Sequence, residues 1–377
     1  MMLAYVFILG SWVIWRGIAV QKIHAVWKIL LSVAVLLIAG KFYVLRVFSG
    51  AKSFFNPELP SWVLIPAAWL FALLIFFFFW LVFYEICSFA CTWLCRWKKW
   101  ELPCFFKNSL WRAAGIFPAA VLVSIGIYGG LKTPAVTEYD IEVKNLPAEM
   151  DGMKIVHLSD LHVDPLNGAE KVRAIVDIAN AQGGDLIVIT GDFVDGRTAV
   201  RGKDLQFISG LQAPLGVYGV PGNHEYYSGY QEWMDFLNDH GIKMLENSRV
   251  KLKENFVIGG VTDLAYRQRG GEKPDVNKAF AGVPEKSFKL LLAHQPKLAV
   301  EAADAGVDLQ LSGHTHGGMI WGLDLLVGFF NKGFVSGTYD VKDMKLHISN
   351  GTGIWNGFPI RLGYPSEIVV LTLRKKR

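Results

Sequence analysis

"MKIVHLSDLHVD", Met153 to Asp164, decides how the larger part of this chain folds. Its apolar run is too short for a helix and stops at Ser159-Asp160, so it reads as a buried strand that ends in a polar loop. Downstream, "DLIVITGDFVDG", Asp185 to Gly196, repeats the arrangement, with a strand over Leu186 to Thr190 that stops at Gly191-Asp192. The intervening "AEKVRAIVDIANAQ" has helical periodicity. The three together predict a βαβ unit that carries carboxylates at the carboxyl ends of neighbouring strands, where ligand sites of such sheets collect.

The same pattern continues with other ligand types. "GVYGVPGNHEYY" ends a strand at Asn223-His224-Glu225, "FKLLLAHQP" ends one at His294, and "VDLQLSGHTHGG" ends one at His314 and His316. Of the chain's nine histidines, five (His162, His224, His294, His314 and His316) occupy strand ends, which sets them apart from ordinary strand or helix histidines. Oxygen and imidazole donors together suit divalent first-row metals, and the alternation His314-Thr315-His316 lets neighbouring imidazoles address two ions. Flanking glycines permit the tight turns and close backbone approach of a crowded metal and phosphate site. Taken singly, Asp160 or Asp192 reads as a turn or helix-cap residue. That reading gives no reason for all of them to fall at one edge in one order. His157 and His347 read as strand residues, His240 as a helix-end residue and His24 as a residue of an interfacial loop.

The ordered set Asp160-x-His162, Gly191-Asp192-x-x-Asp195, Gly222-Asn223-His224-Glu225, His294 and Gly313-His314-Thr315-His316 resembles the calcineurin-like metallophosphoesterase superfamily, over about residues 136 to 373. The closing "NGTGIWNGFPIRLGYPSEIVVLTL" resembles the end of its membrane-anchored branch. The resemblance implies an α/β fold, a two-sheet αββα sandwich over residues 132–377. It also implies a dinuclear centre in which Asp160, His162 and His316 hold one metal, Asn223, His294 and His314 hold the other, and Asp192 bridges them. Two cations about 3.5–4 Å apart would neutralise phosphate oxygens and acidify a shared water, giving a bridging hydroxide placed for in-line attack. His224 would face the leaving oxygen as general acid or charge stabiliser, Asp195 would orient it, and Glu225 would support the loop. Met319 stands where the branch usually carries a glutamine. Manganese, iron and zinc all suit the ligand set, so the metal's identity is left open.

The first third reads differently. At 52% hydrophobic and 13% aromatic, the chain is too apolar for a purely soluble protein. Long apolar runs fill residues 1–131, predicting an α-helical transmembrane domain of about four helices, with spans at 2–20, 29–48, 62–84 and 113–131. The first is weakened by Arg16. Basic residues crowd "RWKKWELPCFFKNSLWR", Arg96 to Arg112, and the first loop carries Lys22 and Lys28, which makes these loops cytoplasmic. The loop from Ser49 to Ser61 is nearly neutral. The catalytic domain is therefore expected outside the cytoplasm, at the plasma (inner) membrane. All four cysteines, Cys87, Cys91, Cys95 and Cys104, lie in this first third, so the second domain has neither a disulfide framework nor a thiolate metal site.

An enzyme so tethered meets phosphate esters at a membrane surface, so membrane lipids are the expected partners and a lipid or lipid-linked phosphodiester the expected substrate. "GLDLLVGFFNKGF", Gly322 to Phe334, reads equally as an apolar loop that dips into lipid or as a core strand and turn. Rival readings are a nucleotide phosphodiesterase of the same superfamily and a non-catalytic metal-binding sensor or transporter. Nucleic acid is not expected, since no basic stripe with interleaved aromatics is present. A transporter would line a path with paired intramembrane charges, and only Arg16, Lys41 and Glu85, near span ends, are charged.

Overall fold

A computed structural model describes residues 2–49, 57–269 and 271–376. Most of the loop read as neutral, residues 50–56, lies outside the described residues. The chain divides into two units, Met1–Ile127 and Tyr128–Arg377.

In the first unit the apolar runs form helices at Met2–Val13, which continues as a π-helix over Ile14–Ile18, and at Ala25–Ala39, Lys41–Ser49 and Ser61–Lys98. A further helical stretch, Leu110–Leu131, begins in the first unit and ends in the second. By length and composition, Ser61–Lys98 and Leu110–Leu131 can each cross a membrane, and Ala25–Ala39 with Lys41–Ser49 adds a third if the pair is one span. Among the described residues that gives two or three where about four were expected. The second candidate departs from a straight span because the chain bends by 74° at Gly40. The first is short, an apolar helix over Tyr5–Ile18. The third runs on past its expected end at Tyr84 to Lys98, because Glu85 does not stop it: Arg16 and Arg112 both bond its carboxylate, the latter at 2.8 Å from Nε. A charge that is costly in an apolar span is thus compensated within the unit. Cys91 and Cys95 lie 3.9 Å apart on one face of this helix, and Cys95 is buried.

Among the described residues of the second unit, twelve strands form two sheets. They are β1 (Ala135–Val143), β2 (Lys154–Leu158), β3 (Leu186–Ile189), β4 (Val217–Gly219), β5 (Lys243–Met244), β6 (Ser248–Lys253), β7 (Phe256–Gly260), β8 (Phe288–Leu292), β9 (Leu309–Ser312), β10 (Gly337–Val341), β11 (Met344–Ile348) and β12 (Glu367–Lys375). One sheet has the order β1-β12-β2-β3-β4-β5, the other β10-β11-β9-β8-β7-β6. β2 to β5 run parallel, as do β7, β8, β9 and β11. This common direction brings the carboxyl ends of β2, β3, β4, β8 and β9 to one edge of the sandwich.

Side chains alternate across each strand, which assigns them to layers. Ile155, Leu186, Val188, Leu290, Leu292, Leu309, Leu311 and Leu371 fill the space between the sheets. Val156, Ile187, Ile189 and Ile368 point the other way, onto the helices Ala169–Ala181 and Tyr230–Asp239 through Val172, Ile175 and Trp233. Leu291, Leu346 and Ile348 meet Ala299 and Ala302 of the helix Ala299–Asp304 on the far side. The result is the expected αββα sandwich.

Two histidines occupy this core. His157 of β2 and His347 of β11 meet across the sandwich with ring centroids 6.2 Å apart, and both are fully buried. Burial pushes His347 down to about 3, and burial with the neighbouring ring lowers His157 as well. Both are therefore neutral when folded, whereas an unfolded chain takes up these protons below about pH 6.5. Stability from this pair is complete above that pH and is lost as pH falls towards the folded values. His347→Gln is expected to flatten the acid slope of thermal stability by up to about 1.4 kcal/mol per pH unit. Melting curves of both proteins between pH 7 and 5 check this, and equal slopes would contradict it.

Candidate metal centre

Three of the strand ends, those of β2, β3 and β9, hand their ligand residues to loops with unusual backbone. Asp160, His162, Asp192, His314 and His316 all have φ between 45° and 72°. Left-handed backbone costs a non-glycine residue roughly 1–2 kcal/mol, so five instances at one edge mark stored strain at a functional site. Backbone bonds between the loops hold it in place. Asp160 N donates to Gly191 O at 3.0 Å, His162 N to Asp192 O at 3.0 Å, and Gly313 N to His294 O at 3.0 Å. The carboxylate of Glu225, fully buried, accepts from the backbone N–H groups of Asp192, Phe193 and Gly222 at 2.7–3.0 Å. It straps the Asp192 loop to the Asn223 loop, which is the supporting role expected of it.

These loops bring all nine singled-out side chains together. Asp160, His162 and His316 form one group whose ligand atoms lie within 4.8 Å of one another, and Asp192, His294 and His314 form a second. His316 Nε2 is 3.1 Å from His162 Nε2 and 3.5 Å from Asp160 Oδ1. In the second group His294 Nε2 is 3.2 Å from Asp192 Oδ2, 3.2 Å from Asn223 Oδ1 and 3.1 Å from His314 Nδ1. Asp192 Oδ2 also lies 3.8 Å from His162 Nε2, so it faces both groups. The donor chemistry fits divalent cations: two buried carboxylates, an amide oxygen and four imidazoles converge.

Outer contacts set which imidazole nitrogens face inward. His294 Nδ1 donates to Thr190 O at 2.7 Å, leaving Nε2 as the free donor atom. His162 Nδ1 lies 3.1 Å from Asp195 Oδ2. Arg361, which can only donate, approaches His316 Nδ1 at 2.9 Å and the His316 carbonyl at 2.8 Å. Burial and this guanidinium hold His316 well below the usual histidine range, and burial with His294 pushes His314 down to about 3. Both rings are therefore uncharged. Burial opposes the charged form of His224, but the Asp195 and Asp192 carboxylates outweigh it and push it up to about 10. Its Nδ1 bonds Asp195, and its Nε2 lies 3.9 Å from Asp192 Oδ2.

A cavity of about 340 Å³ opens over the centre. His162, Asp192, Asn223, His224, His314 and His316 form its polar floor, and Met319, Leu326, Phe330 and Trp355 its apolar walls. Asp160, Asp195 and His294 stand behind the floor. Sequence reading missed Arg361 and Trp355, as well as the segment Gly351–Gly353 that closes the back of the site. Thr352 N donates to Ser159 O at 2.6 Å and Gly353 N to Asp160 O at 2.9 Å. The glycine cluster in "NGTG" was the available signal, since a Cβ on Gly353 would lie 2.0 Å from Leu161 O.

Gly313 shows the same crowding at the first metal group. A Cβ there would sit 1.9 Å from Ser159 Oγ and 2.2 Å from Asp160 Oδ2. Gly313→Ala is expected to destabilise the fold by about 1–3 kcal/mol through overpacking and to lower metal content. Elemental analysis and melting of the purified variant check this, and wild-type metal content would contradict it.

Residues 153–318, which hold both ligand groups, match the Calcineurin-like phosphoesterase family. A metallophosphoesterase of Campylobacter jejuni is 38% identical over 263 residues, covering 68% of this chain and 67% of its own length. The chain belongs to the calcineurin-like phosphoesterase family. The likeness extends further in the transmembrane protein with metallophosphoesterase domain of Bos taurus, which is 30% identical over 97% of this chain and 87% of its own length. Among solved structures, the calcineurin-like phosphoesterase YfkN of Bacillus subtilis aligns with a TM-score of 0.34 at 18% identity, over 54% of this chain and 82% of that one. Phosphoesterase hydrolysis supported by divalent metals is general to the calcineurin-like family, and this chain has clustered Asp and His residues able to bind metal.

Proposed function

We propose that this chain is a membrane-anchored, two-metal phosphoesterase that hydrolyses a lipid-linked phosphodiester at the extracytoplasmic membrane surface. The observation that carries the reading is the shared position of Asp192 between two ligand groups beneath a cavity with apolar walls. Asp160, His162 and His316 would hold one metal, Asn223, His294 and His314 the other, and Asp192 faces both groups. Two divalent ions, when bound there, neutralise phosphate oxygens and acidify a water for in-line attack. His224, kept protonated by Asp195, gives a proton to the departing oxygen, and Asp195 holds its ring in place. Met319, Leu326 and Phe330 exclude water and give an apolar group on the ester a surface to lie on.

The membrane anchor rests on the span-length helices and on the transmembrane relatives of Bos taurus and Danio rerio. The basic loop between Arg96 and Arg112 supports a catalytic domain on the side opposite the cytoplasm. The test is hydrolysis of bis-p-nitrophenyl phosphate, p-nitrophenyl phosphate and a panel of phospholipids by the detergent-purified chain, with manganese, iron or zinc supplied. Metal-dependent turnover that prefers diesters and accepts a lipid is expected. No turnover with any metal, despite bound ions, would overturn the enzyme reading.

A further inference from the structure

The stretch read as a loop or a core strand, Gly322 to Phe334, is neither: Leu323–Phe330 is a helix. Its apolar side chains do not enter a core. Leu325 and Phe329, one helical turn apart on the same face, are 77% and 80% exposed, and Trp321, in the turn just before the helix, is 80% exposed. Leu326 and Phe330, beside this face, are also exposed and reach the wall of the metal cavity. Among the described residues of the second unit, five of the nine exposed large apolar side chains fall between residues 321 and 330. Scattered exposure of that kind is ordinary, but concentration on one helix is not.

The helix is firmly held from beneath. Asp324 Oδ1 accepts from Gly322 N at 2.6 Å at its start, and Gly328 is buried under it with room for no more than Val335. Gly318, two residues past His316, packs so closely on the backbone of Asp324 that a Cβ would come within 2.5 Å of it. The histidine loop and the helix are therefore one block.

We infer that this helix docks the catalytic domain on the bilayer, with Trp321, Leu325 and Phe329 buried at the lipid interface and the mouth of the metal cavity opening beside them. The occupant is the membrane to which the chain is tethered by its own helices: only Lys132–Pro134 separate the end of the span-length helix at Leu131 from β1. Three linking residues reach at most about 14 Å from one end to the other, which keeps the domain at that surface. Exposed Lys332, just beyond the helix, supplies the positive charge that favours anionic head groups. A tryptophan at the edge of an apolar helical face is the composition of an interfacial helix. The inference rests on the membrane-anchored phosphoesterase reading and adds that the substrate enters from the lipid side, through Leu326 and Phe330.

The test uses the full chain in lipid nanodiscs, with Cys87, Cys91, Cys95 and Cys104 replaced by serine and a fluorophore on Phe329→Cys or, as control, on Val200→Cys. Docking predicts a blue-shifted label at 329, quenched by spin-labelled lipid, and a water-like label at 200. Equal emission and quenching at the two positions would overturn docking, as would a blue shift at 329 that depends on protein concentration and not on lipid quencher, the signature of a second copy. Separately, Leu325→Glu with Phe329→Glu is expected to cut hydrolysis of a vesicle-embedded phosphodiester by about tenfold or more and leave bis-p-nitrophenyl phosphate within about twofold. Equal loss on both substrates, or loss on neither, would overturn it. A chain inactive on every ester refutes the enzyme reading while the fluorophore still decides docking.

Discussion

Asp192→Asn is expected to abolish hydrolysis and to remove metal from both groups. The substitution keeps the size of the side chain and an oxygen to accept from His224 N, which now bonds Asp192 Oδ1 at 2.9 Å, so the loop keeps its shape. What is lost is the negative charge shared by the two ligand groups, at 3.2 Å from His294 Nε2 and 3.8 Å from His162 Nε2. Metal stabilisation of transition-state charge is worth several kcal/mol, and about 4 kcal/mol corresponds to ~10³-fold in rate. The fall in kcat/KM should be at least of that order, with metal stoichiometry reduced from two per chain. Steady-state kinetics and elemental analysis of the same preparation measure both. Two metals retained with near wild-type turnover would refute the bridging role.

His224→Ala should separate chemistry from metal binding. A general acid contributes about 10²–10⁴-fold, so turnover should drop by that factor while metal content stays at the wild-type level. The pH dependence has a definite sign. The Asp195 and Asp192 carboxylates hold the His224 pKa above its ordinary value, so the imidazolium that donates the proton is present at neutral pH and is lost as pH rises. The wild type should therefore lose activity on the alkaline side, and this limb should be missing from the pH profile of the variant. Loss of metal from His224→Ala would contradict the assignment. Asp195 serves a second partner, His162 Nδ1, so Asp195→Asn is expected to weaken metal binding by about 10–100-fold as well as turnover.

The carboxylates and histidines of the site were legible because each lies directly after an apolar run. A parallel strand's end is a local property, and when neighbouring strands share a direction their ends share an edge. Asp160, Asp192, Asn223, His294 and His314 were found in that way. Arg361 was not, because its partner is the ring of His316, 45 residues away, and no local pattern singles out an arginine that will be buried. His157 and His347 were rightly read as strand residues. Their meeting across the core depends on how two sheets stack, which no strand encodes alone.

The helical segments show the same division. Apolar length alone identified the runs that become helices in the first unit. It could not foresee the 74° bend at Gly40, nor that Glu85 would sit within a helix of 38 residues once Arg16 and Arg112 met it. For Leu323–Phe330, eight residues of nearly unbroken apolar character carry no usable period, and so a loop or a core strand is read where a helix forms. Sequence by itself determined the family and the αββα class and brought forward the candidate ligand residues, since these follow from alternation, short-range turns and the order of motifs along the chain. Tertiary structure alone decided which imidazole nitrogens face inward, which distant residues lock them, and that an apolar helix faces outward beside the metals, because each depends on contacts between segments far apart in sequence.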